Sequence, residues 1–279
     1  MVVDDGSSDG SQAIIREILK ERPETPFIAL DENVGNTTAF NKGLALAKGK
    51  YVIDLACDDI LYPYKISKQV EFFESQPADV GVIYSDVRRI TEFDEVLGFH
   101  FAKQNRFFPY QGHVCAKLIS TYFLPTVSMM IRKEVLDMMD GYDESLAYED
   151  FDFWVRSSRD WKYAYQSDVL MDWVKHHDSF SKQAYKAHDR QLESTFRVCE
   201  KIRAMNPSIA EEEALIQRVK LEIRQSVITG NHKMARKFGR MLKELGAMEG
   251  LYYLLLLFNR LGIDLSSWTK VYHILRYGR

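Results

Sequence analysis

The first 55 residues alternate short apolar runs with amphipathic segments. The runs Met1–Asp4, Phe27–Leu30 and Tyr51–Leu55 have the length and composition of buried strands. Between them, Ser11–Glu21 and Asn36–Lys48 repeat apolar residues at helical spacing, and the isoleucines of the first segment fall on one face. Strands that alternate with helices in this way predict a mostly parallel, doubly wound α/β sheet.

The alternation continues less regularly to about residue 171. Pro63 precedes a helical pattern that extends to Ser75, and Phe93–Tyr110 is aromatic, charged and irregular, which is typical of an extended excursion. The remaining patterns predict strands at Val80–Asp86, Thr126–Ile131 and Tyr163–Met171, and helices from Lys133 and over Glu149–Arg159.

Helical periodicity alone occupies the chain after Ser181. It is interrupted at Asn206-Pro207, at Gly230-Asn231 and at Gly262. We therefore predict two domains, an α/β domain over residues 1–180 and a helical C-terminal region over residues 181–279.

Composition narrows the function classes. The chain has 279 residues, 46% of them hydrophobic, and a formal net charge of -3, which argues against disorder and against a nucleic-acid partner. Three widely spaced cysteines favour a reducing compartment. The longest apolar run, Leu251–Phe258, is far shorter than the roughly 20 residues of a spanning helix, and Met1 is followed by Val-Val-Asp-Asp, which is not the start of a signal peptide. The expected location is the cytoplasm.

Positive charge is concentrated at the C-terminus. From Asn231 onward there are nine Lys and Arg residues against three acidic residues, interleaved with apolar side chains. This pattern is typical of helices that pack back on the α/β domain, and it also fits an interfacial helix on the inner face of an anionic membrane. Peripheral membrane contact through these basic helices is one of two open interpretations.

Two pairs of aspartates follow predicted strands. Asp4 and Asp5 end the first strand, and Asp58 and Asp59 follow the third, at the edge where open α/β sheets bind ligands. The first pair could accept hydrogen bonds from a nucleotide, or simply begin a turn that caps the next helix. Adjacent carboxylates in the second pair repel each other unless solvent or a divalent cation compensates. Each pair alone is also compatible with a solvated loop.

A third acidic group and a histidine pair are candidates for chemistry. Glu149, Asp150 and Asp152 fall in the first turn of a predicted helix, where the helix dipole stabilises acids and where a carboxylate could also take a proton from a hydroxyl. His176 and His177 could ligate a metal or form a surface turn.

In this order and spacing, these segments resemble glycosyltransferase family 2, the inverting transferases of GT-A fold. The resemblance runs from Met1 to about Ser181. Besides the acidic segments, it includes Asn33 to Gly43, which is similar to the family's Asn-x-Gly and Arg-Asn-x-Gly element, and Pro125 to Glu144, which is similar to its acceptor-side strand and loop.

The resemblance implies a role for each matched residue. Asp4, Asp5 and Asn33 would bind the nucleotide of a UDP- or dTDP-sugar, and Asp58 would lie near its ribose and diphosphate. Asp59 and His176 would hold Mn²⁺ or Mg²⁺, with His177 as the alternative histidine. Asp150 would deprotonate the hydroxyl of a glycan, lipid-linked or protein acceptor. The implied process is polysaccharide biosynthesis or a related glycan pathway.

The chain departs from the family pattern at three places. Phe40 stands where the family has Arg, and Ala56-Cys57 replaces a more acidic approach to Asp58. The family's first strand and helix, about 30 residues, do not precede Met1, so the resemblance implies a GT-A domain that is truncated at its N-terminus. Losing a central strand would uncover apolar faces and unpaired backbone groups.

Two other interpretations remain open at this stage. A sugar-nucleotide nucleotidyltransferase shares the layered fold but would carry a Gly-rich basic phosphate loop, which the sequence does not show. A catalytically impaired, truncated remnant that acts as a binding or interaction module would explain Phe40 and the absent strand.

Overall fold

The computed structural model describes residues 1–101, 108–176 and 190–263. The chain divides into two compact units. Unit 1 comprises Met1–Ile90, Val96–His113 and Leu124–Val174, and unit 2 comprises Thr91–Glu95, Val114–Phe123 and Lys175–Arg279. The predicted domain boundary at residue 180 lies outside the described residues.

Unit 1 is an α/β assembly. Its strands are β1 (Val2–Asp4), β2 (Phe27–Ala29), β3 (Tyr51–Val52), β4 (Ile60–Leu61), β5 (Val80–Thr91), β6 (Val96–Phe99), β7 (Met130–Arg132) and β8 (Lys162–Lys175). Its helices are α1 (Ser11–Leu19), α2 (Asn36–Leu46), α3 (Lys65–Glu74), α5 (Lys133–Met138) and α6 (Glu149–Asp160), with a 3₁₀ turn at Thr126–Ser128; α4 (Cys115–Ser120) belongs to unit 2.

Two sheets form among these strands. β1 and β2 pair in parallel, as the strand–helix–strand pattern predicts. The larger sheet has the order β3-β7-β5-β8-β4, with β6 beside β5. Its recorded pairs of β3 with β7, β4 with β8, and β5 with β6 and β7 are all antiparallel. The expectation of a mostly parallel sheet is therefore wrong for this part, because a short apolar run does not reveal the direction of its neighbours.

One local expectation also needs correction. Phe93–Tyr110 was expected to be irregular, but its start forms a hairpin in which β6 pairs with β5; residues 102–107 are outside the described part. The predicted helix over Ser11–Glu21 forms as α1, but Ile14 and Ile18 on its apolar face are 63% and 61% exposed. The β1–β2 ladder has only two strands, which is too narrow to cover a helix face.

A buried core fixes the position of β3 in the larger sheet. Phe73, Val80, Ile83, Met130 and Ala164 form a buried cluster. The residues Tyr51 and Ile53 of the β3 segment pack against this cluster. The chain that leaves β3 therefore starts from a fixed position, which sets where the following acidic residues lie.

Unit 2 is helical. After α4 it contains α7 (Arg190–Ala204), α8 (Ile209–Ile228), α9 (His232–Glu244) and α10 (Gly250–Arg260), and the predicted breaks fall between these helices or directly after α10. Ser208 caps α8 through a reciprocal capping box with Glu211. In the described ranges, no helix is both long and apolar enough to cross a membrane.

Candidate functional site

The carboxylate of Asp4, at the end of β1, is held by its own loop. Its Oδ1 accepts hydrogen bonds from the backbone N–H of Ser7 (3.0 Å) and from Nε2 of Gln12 (2.8 Å). The hydrogen bonds from Ser7 and Gln12 lower the pKa of Asp4 below its usual value. Asp4 therefore remains ionised and shapes the turn between β1 and α1.

Asp5 joins this turn to the next loop. Its Oδ1 accepts the N–H of Val34 (2.8 Å) and its Oδ2 accepts the N–H of Gly35 (2.9 Å), where α2 begins. These two N–H groups directly precede α2, and a negative charge at this end of a helix is favoured by the helix dipole. The side chain predicted to touch the nucleotide is thus committed, in this structure, to the loop that carries Asn33.

Gly6 permits the close approach of these two loops. Its φ is +73°, and a Cβ on it would lie 2.4 Å from the backbone carbon of Glu32 and 2.6 Å from the N of Asn33. Only glycine fits such a contact and such a backbone conformation without strain. The glycine after the two aspartates therefore has a steric role that the turn pattern alone did not reveal.

The Asp58–Asp59 pair lies beyond β3. Asp58 is exposed, and Asp59 is half-buried with its Oδ1 accepting the N–H of Val174 (3.1 Å) near the end of β8. Carboxylate oxygens are the ligands that Mg²⁺ and Mn²⁺ prefer, so the donor chemistry of the pair fits the predicted metal. Among the described residues, no group of three or more His, Cys, Asp or Glu side chains is assembled for metal binding.

Asp54 is a site residue that the sequence interpretation missed. It lies two residues beyond β3 and is partly buried. Burial and the nearby charge of Glu149 raise the pKa of its carboxyl to about 6, against an opposing contribution from the Tyr142 hydroxyl. The available signal was a single acid within the apolar segment Tyr51–Leu55, which an apolar strand rarely carries without a partner.

Asp150 opens α6 beside the same carboxylate. Burial, then the charges of Glu149 and Asp54, raise its pKa well above the usual value, while a hydrogen bond from Thr126 opposes the rise. Like charges that share a poorly solvated site cannot all ionise at ordinary pH. Asp54 and Asp150 therefore have raised pKa values and release their protons at higher pH than ordinary aspartates do.

Asp152, the third acid of this turn, has a structural role. It is 1% exposed and accepts a hydrogen bond from Nε of Arg156 (2.7 Å). The same guanidinium donates to the carbonyl oxygens of Met139 and Gly141, so this ion pair fastens α6 to the turn that precedes Tyr142. Sequence spacing alone could not separate Asp150 from Asp152.

Tyr142 forms the buried wall of the pair. Its side chain is 2% exposed, and the charges of Asp54, Asp150 and Glu149 act on its hydroxyl. The ring of Phe40 stacks on it, with a centroid distance of 4.4 Å. Phe40, which replaces the family's arginine, thus packs against the acidic site and contributes no charge to it.

Asn41 and Thr38 connect α2 to the loop before α6. The side chain of Asn41 exchanges hydrogen bonds with the backbone of Tyr142 (2.8 and 3.0 Å) and donates to Glu144 (3.0 Å), and Thr38 donates to the other oxygen of Glu144 (2.8 Å). At the start of the same helix, Asn36 donates to Glu149 at 3.4 Å. A connected path therefore runs from Asp5, through the N-terminus of α2, to the turn that carries Asp150.

The predicted metal histidine belongs to unit 2. Nδ1 of His176 lies 3.4 Å from Oε2 of Glu92. His176 follows β8 directly, two residues after the Val174 N–H that binds Asp59. His177, the alternative ligand, lies outside the described residues.

Comparison with known proteins identifies relatives of this chain. Residues 1–139 match the family model described as glycosyl transferase family 2. An uncharacterized glycosyltransferase of Methanocaldococcus jannaschii is 28% identical over 194 residues, which cover 67% of this chain and 63% of that protein. The chain thus spans less than two thirds of this relative's length.

Two solved structures share the fold. S. aureus TarS 1-349 in complex with UDP-GlcNAc matches with a TM-score of 0.65 at 17% identity, over 100% of this chain and 82% of that one. The mannosyltransferase PcManGT from Pyrobaculum calidifontis, in complex with GDP-Man and Mn²⁺, matches with a TM-score of 0.57 at 15% identity, over 99% and 74%. These likenesses confirm the predicted GT-A fold with its helical C-terminal part.

Proposed function

Because the chain belongs to glycosyl transferase family 2 over residues 1–139, we propose that it transfers a sugar from a nucleotide-sugar donor to a hydroxyl group, with inversion at the anomeric carbon. The observation that carries the proposal is the environment of Asp150. A carboxyl at the start of α6 whose pKa is raised well above its usual value binds a hydroxyl proton more strongly than an ordinary aspartate does.

Asp150 is the proposed base. The acceptor oxygen forms a bond to the anomeric carbon while the bond from that carbon to the diphosphate oxygen breaks, and the hydroxyl proton passes to Asp150. Asp54 and Glu149 assist because their charges raise the affinity of Asp150 for that proton. Single displacement of this kind inverts the anomeric configuration.

The β1 end is the proposed donor side. Asp4, Asp5 and Asn33 would recognise the nucleotide of a UDP- or dTDP-type sugar, and Asp58 its ribose and diphosphate. The committed hydrogen bonds of Asp5 support a positioning role, in which it fixes the loop that presents Asn33. Donors of the two structural neighbours, UDP-GlcNAc and GDP-Man, support the nucleotide-sugar class.

Asp59 and His176 are the proposed ligands of Mn²⁺ or Mg²⁺. Carboxylate oxygen and neutral imidazole nitrogen both suit Mn²⁺, and the first also suits Mg²⁺. When bound, the cation would neutralise charge on the departing diphosphate. The Mn²⁺ in the complex of the mannosyltransferase neighbour supports this choice.

The proposed acceptor is a glycan, as in polysaccharide biosynthesis, or a lipid-linked or protein hydroxyl. For a lipid-linked acceptor, the proposed location is the cytoplasm. There the enzyme would attach peripherally to the inner face of the membrane through its basic C-terminal helices.

One observation favours a second candidate, a catalytically impaired binding module. Phe40 packs on Tyr142 where the family's arginine would place a charge, and Ala56 stands in the acidic approach to Asp58. Such a protein would bind a nucleotide or glycan without turnover.

Calorimetric titration separates these functions. Titration with UDP, dTDP and GDP, with and without Mn²⁺, should give binding that the metal strengthens, and incubation with the matching sugar nucleotides and an acceptor mixture should release nucleoside diphosphate. Asp59→Asn should lose the metal effect, whereas the exposed Asp31→Asn should retain it. Binding without turnover would favour the binding module, and no binding at millimolar nucleotide would refute both.

A further inference from the structure

The last two described helices form an antiparallel hairpin. α9 ends at Glu244 and α10 begins at Gly250. His232, at the start of α9, exchanges hydrogen bonds with Asn259 near the end of α10. At the middle of the hairpin, Gly239 of α9 lies so close to Leu256 that a Cβ on the glycine would meet that side chain at 2.6 Å.

One face of α9 anchors the hairpin in unit 2. The buried residues of this helix are Met234, Ala235, Phe238, Gly239, Met241 and Leu242. The ring of Phe238 contacts that of Phe196 on α7 with a centroid distance of 5.2 Å. The remaining side chains of α9 can therefore change without removing this packing.

The opposite face of α9 is a cationic stripe. Lys233, Arg236, Arg240 and Lys243 follow one another at intervals of three, four and three residues, which places them on one side of the helix, and all four are exposed. Over the described residues 231–263, the only acids are Glu244 and Glu249. Those two are engaged elsewhere, with Arg203 and Lys220 respectively.

α10 presents an apolar stripe. Leu254, Leu257 and Leu261 are spaced by three and four residues and are 46%, 49% and 64% exposed, and Tyr253 beside them is 58% exposed. Leucines exposed at helical spacing form a contiguous apolar patch in contact with water. Such a patch is unfavourable unless a partner covers it.

The two stripes lie on the same side of the hairpin. Arg240 follows the contact residue Gly239 by one position, and Leu257 follows Leu256 by one position, so each is turned by about 100° in the same sense about its own helix. Because the helices are antiparallel, equal rotations of the same sense, starting from their mutual contact, lead to the same side. The hairpin therefore combines positive charge and apolar area in a single surface, here called the hairpin face.

We propose that the hairpin face docks on an anionic lipid bilayer. Cations attract the negatively charged headgroups, and the leucines enter the boundary between headgroups and acyl chains. Charge complementarity selects this occupant, because a neutral protein groove would use the leucines but leave four exposed cations without a counterpart. The inference deepens the membrane attachment included in the proposed function by assigning it to one surface of unit 2, and it does not depend on whether the proposed transfer reaction occurs.

Vesicle sedimentation with the full chain tests the proposal. We expect binding at low salt to vesicles with about 30% phosphatidylglycerol, at least tenfold weaker binding to phosphatidylcholine alone, and loss of binding at high salt. Arg236→Glu with Arg240→Glu should weaken binding at least tenfold, and so should Leu254→Gln with Leu257→Gln. The matched pair Arg22→Glu with Lys48→Glu, exposed cations of unit 1, should retain wild-type binding within about twofold.

Further outcomes would overturn the inference. The hairpin face is not the docking surface if the unit 1 pair weakens binding as much as the α9 pair, or if the wild type does not sediment with anionic vesicles. Equal affinity for a short DNA duplex would indicate a general polyanion surface instead. Circular dichroism checks that each variant is folded, and nucleotide titration of the same samples shows separately whether the proposed function fails.

A fluorescent probe can locate the contact. With the exposed Cys57 changed to Ser, an environment-sensitive dye on Leu257→Cys should shift to the blue when anionic vesicles are added. The same dye on Ile14→Cys, a more exposed apolar position on α1, should not shift. A shift at Ile14 and none at Leu257 would contradict the proposed face.

Discussion

At the end of β1, Asp4 and Asp5 accept hydrogen bonds from N–H groups of their own and the neighbouring loop. Around the start of α6, Asp54 and Asp150 instead lie near each other's charge, and burial is the largest contribution to their raised pKa values. Donated hydrogen bonds lower the pKa of Asp4 in the first region, whereas burial and neighbouring charge raise the pKa values of Asp54 and Asp150 in the second. The same side chain thus organises structure in one region and is prepared for proton transfer in the other.

The difference also shows how the two regions depend on each other. Asp5 fixes the beginning of α2, and α2 in turn binds the loop before α6 through Asn41 and its contacts with Tyr142 and Glu144. The β1 end can therefore change the geometry of the acidic pair without touching it. Four predictions test this comparison, from the largest expected effect to the smallest.

Asp150→Asn is expected to have the largest effect. An amide cannot accept the acceptor's proton, so the transfer rate should fall at least about 100-fold, while nucleotide affinity stays within about twofold. The measurement is nucleoside diphosphate release beside calorimetric binding. Asp152→Asn, in the same helical turn, is the matched control. This substitution should lower the free energy of unfolding before it affects turnover, because it breaks the ion pair with Arg156. Equal turnover in Asp150→Asn and the wild type would remove Asp150 as the base.

Asp5→Ala should destabilise the chain by about 2–3 kcal/mol, since it leaves two N–H groups of the α2 start without their charged acceptor. Asp5→Asn retains one acceptor oxygen and should cost about half as much. Urea unfolding measures both. If the β1 end only positions the acidic pair, Asp5→Ala also lowers turnover because the loop before α2 is displaced. The pH dependence of turnover should then stay unchanged. A shifted pH profile would instead place Asp5 within the proton-holding group.

Asp54→Asn tests the proton-holding region by pH. In the folded chain Asp54 releases its proton at about pH 6, against 3.8 for an ordinary aspartate. The folded chain therefore binds more protons than the unfolded chain between these values, and its free energy of unfolding falls as pH rises through that window. Asparagine should remove up to about 3 kcal/mol of that fall, leaving the part due to Asp150. The exposed Asp31→Asn should preserve the wild-type curve, and an unchanged curve in Asp54→Asn would contradict the raised pKa.

The sequence predicts those parts of the fold that depend on local patterns. Strand and helix positions in the first 55 residues were predicted within a few residues, because each element carries its own apolar period. The antiparallel partners of β7 and the uncovered face of α1 could not be predicted, since they depend on contacts distant in sequence. The breaks between the helices of unit 2 were correct because Pro, Gly and Asn act locally.

The candidate site was predictable in residue type but not in environment. The resemblance selected Asp150 from a turn with three acids, whereas burial and the partner Arg156 distinguish it from Asp152 only in three dimensions. Asp54 was missed because no pattern predicts that an acid in an apolar segment will face two others. Roles for Asp58, Asp59 and His176 remain predictions that ligand binding must test.

Phe40 and Tyr142 provide the smallest test, because their stacked rings join α2 to the acidic pair by packing alone. Phe40→Leu, Tyr142→Leu and the double variant form a cycle whose coupling energy should be about 1 kcal/mol, as expected for an aromatic pair beyond its buried area. Phe196 with Phe238 in unit 2 is the matched pair, edge-to-face and remote in sequence from the acids. Loss of the Phe40 ring should also lower the pH at which Asp54 titrates, because it admits solvent to Tyr142, whereas loss of the unit 2 pair should not. A coupling near zero, or an equal pH effect from both pairs, would mean that the proton-holding region does not depend on its connection to α2.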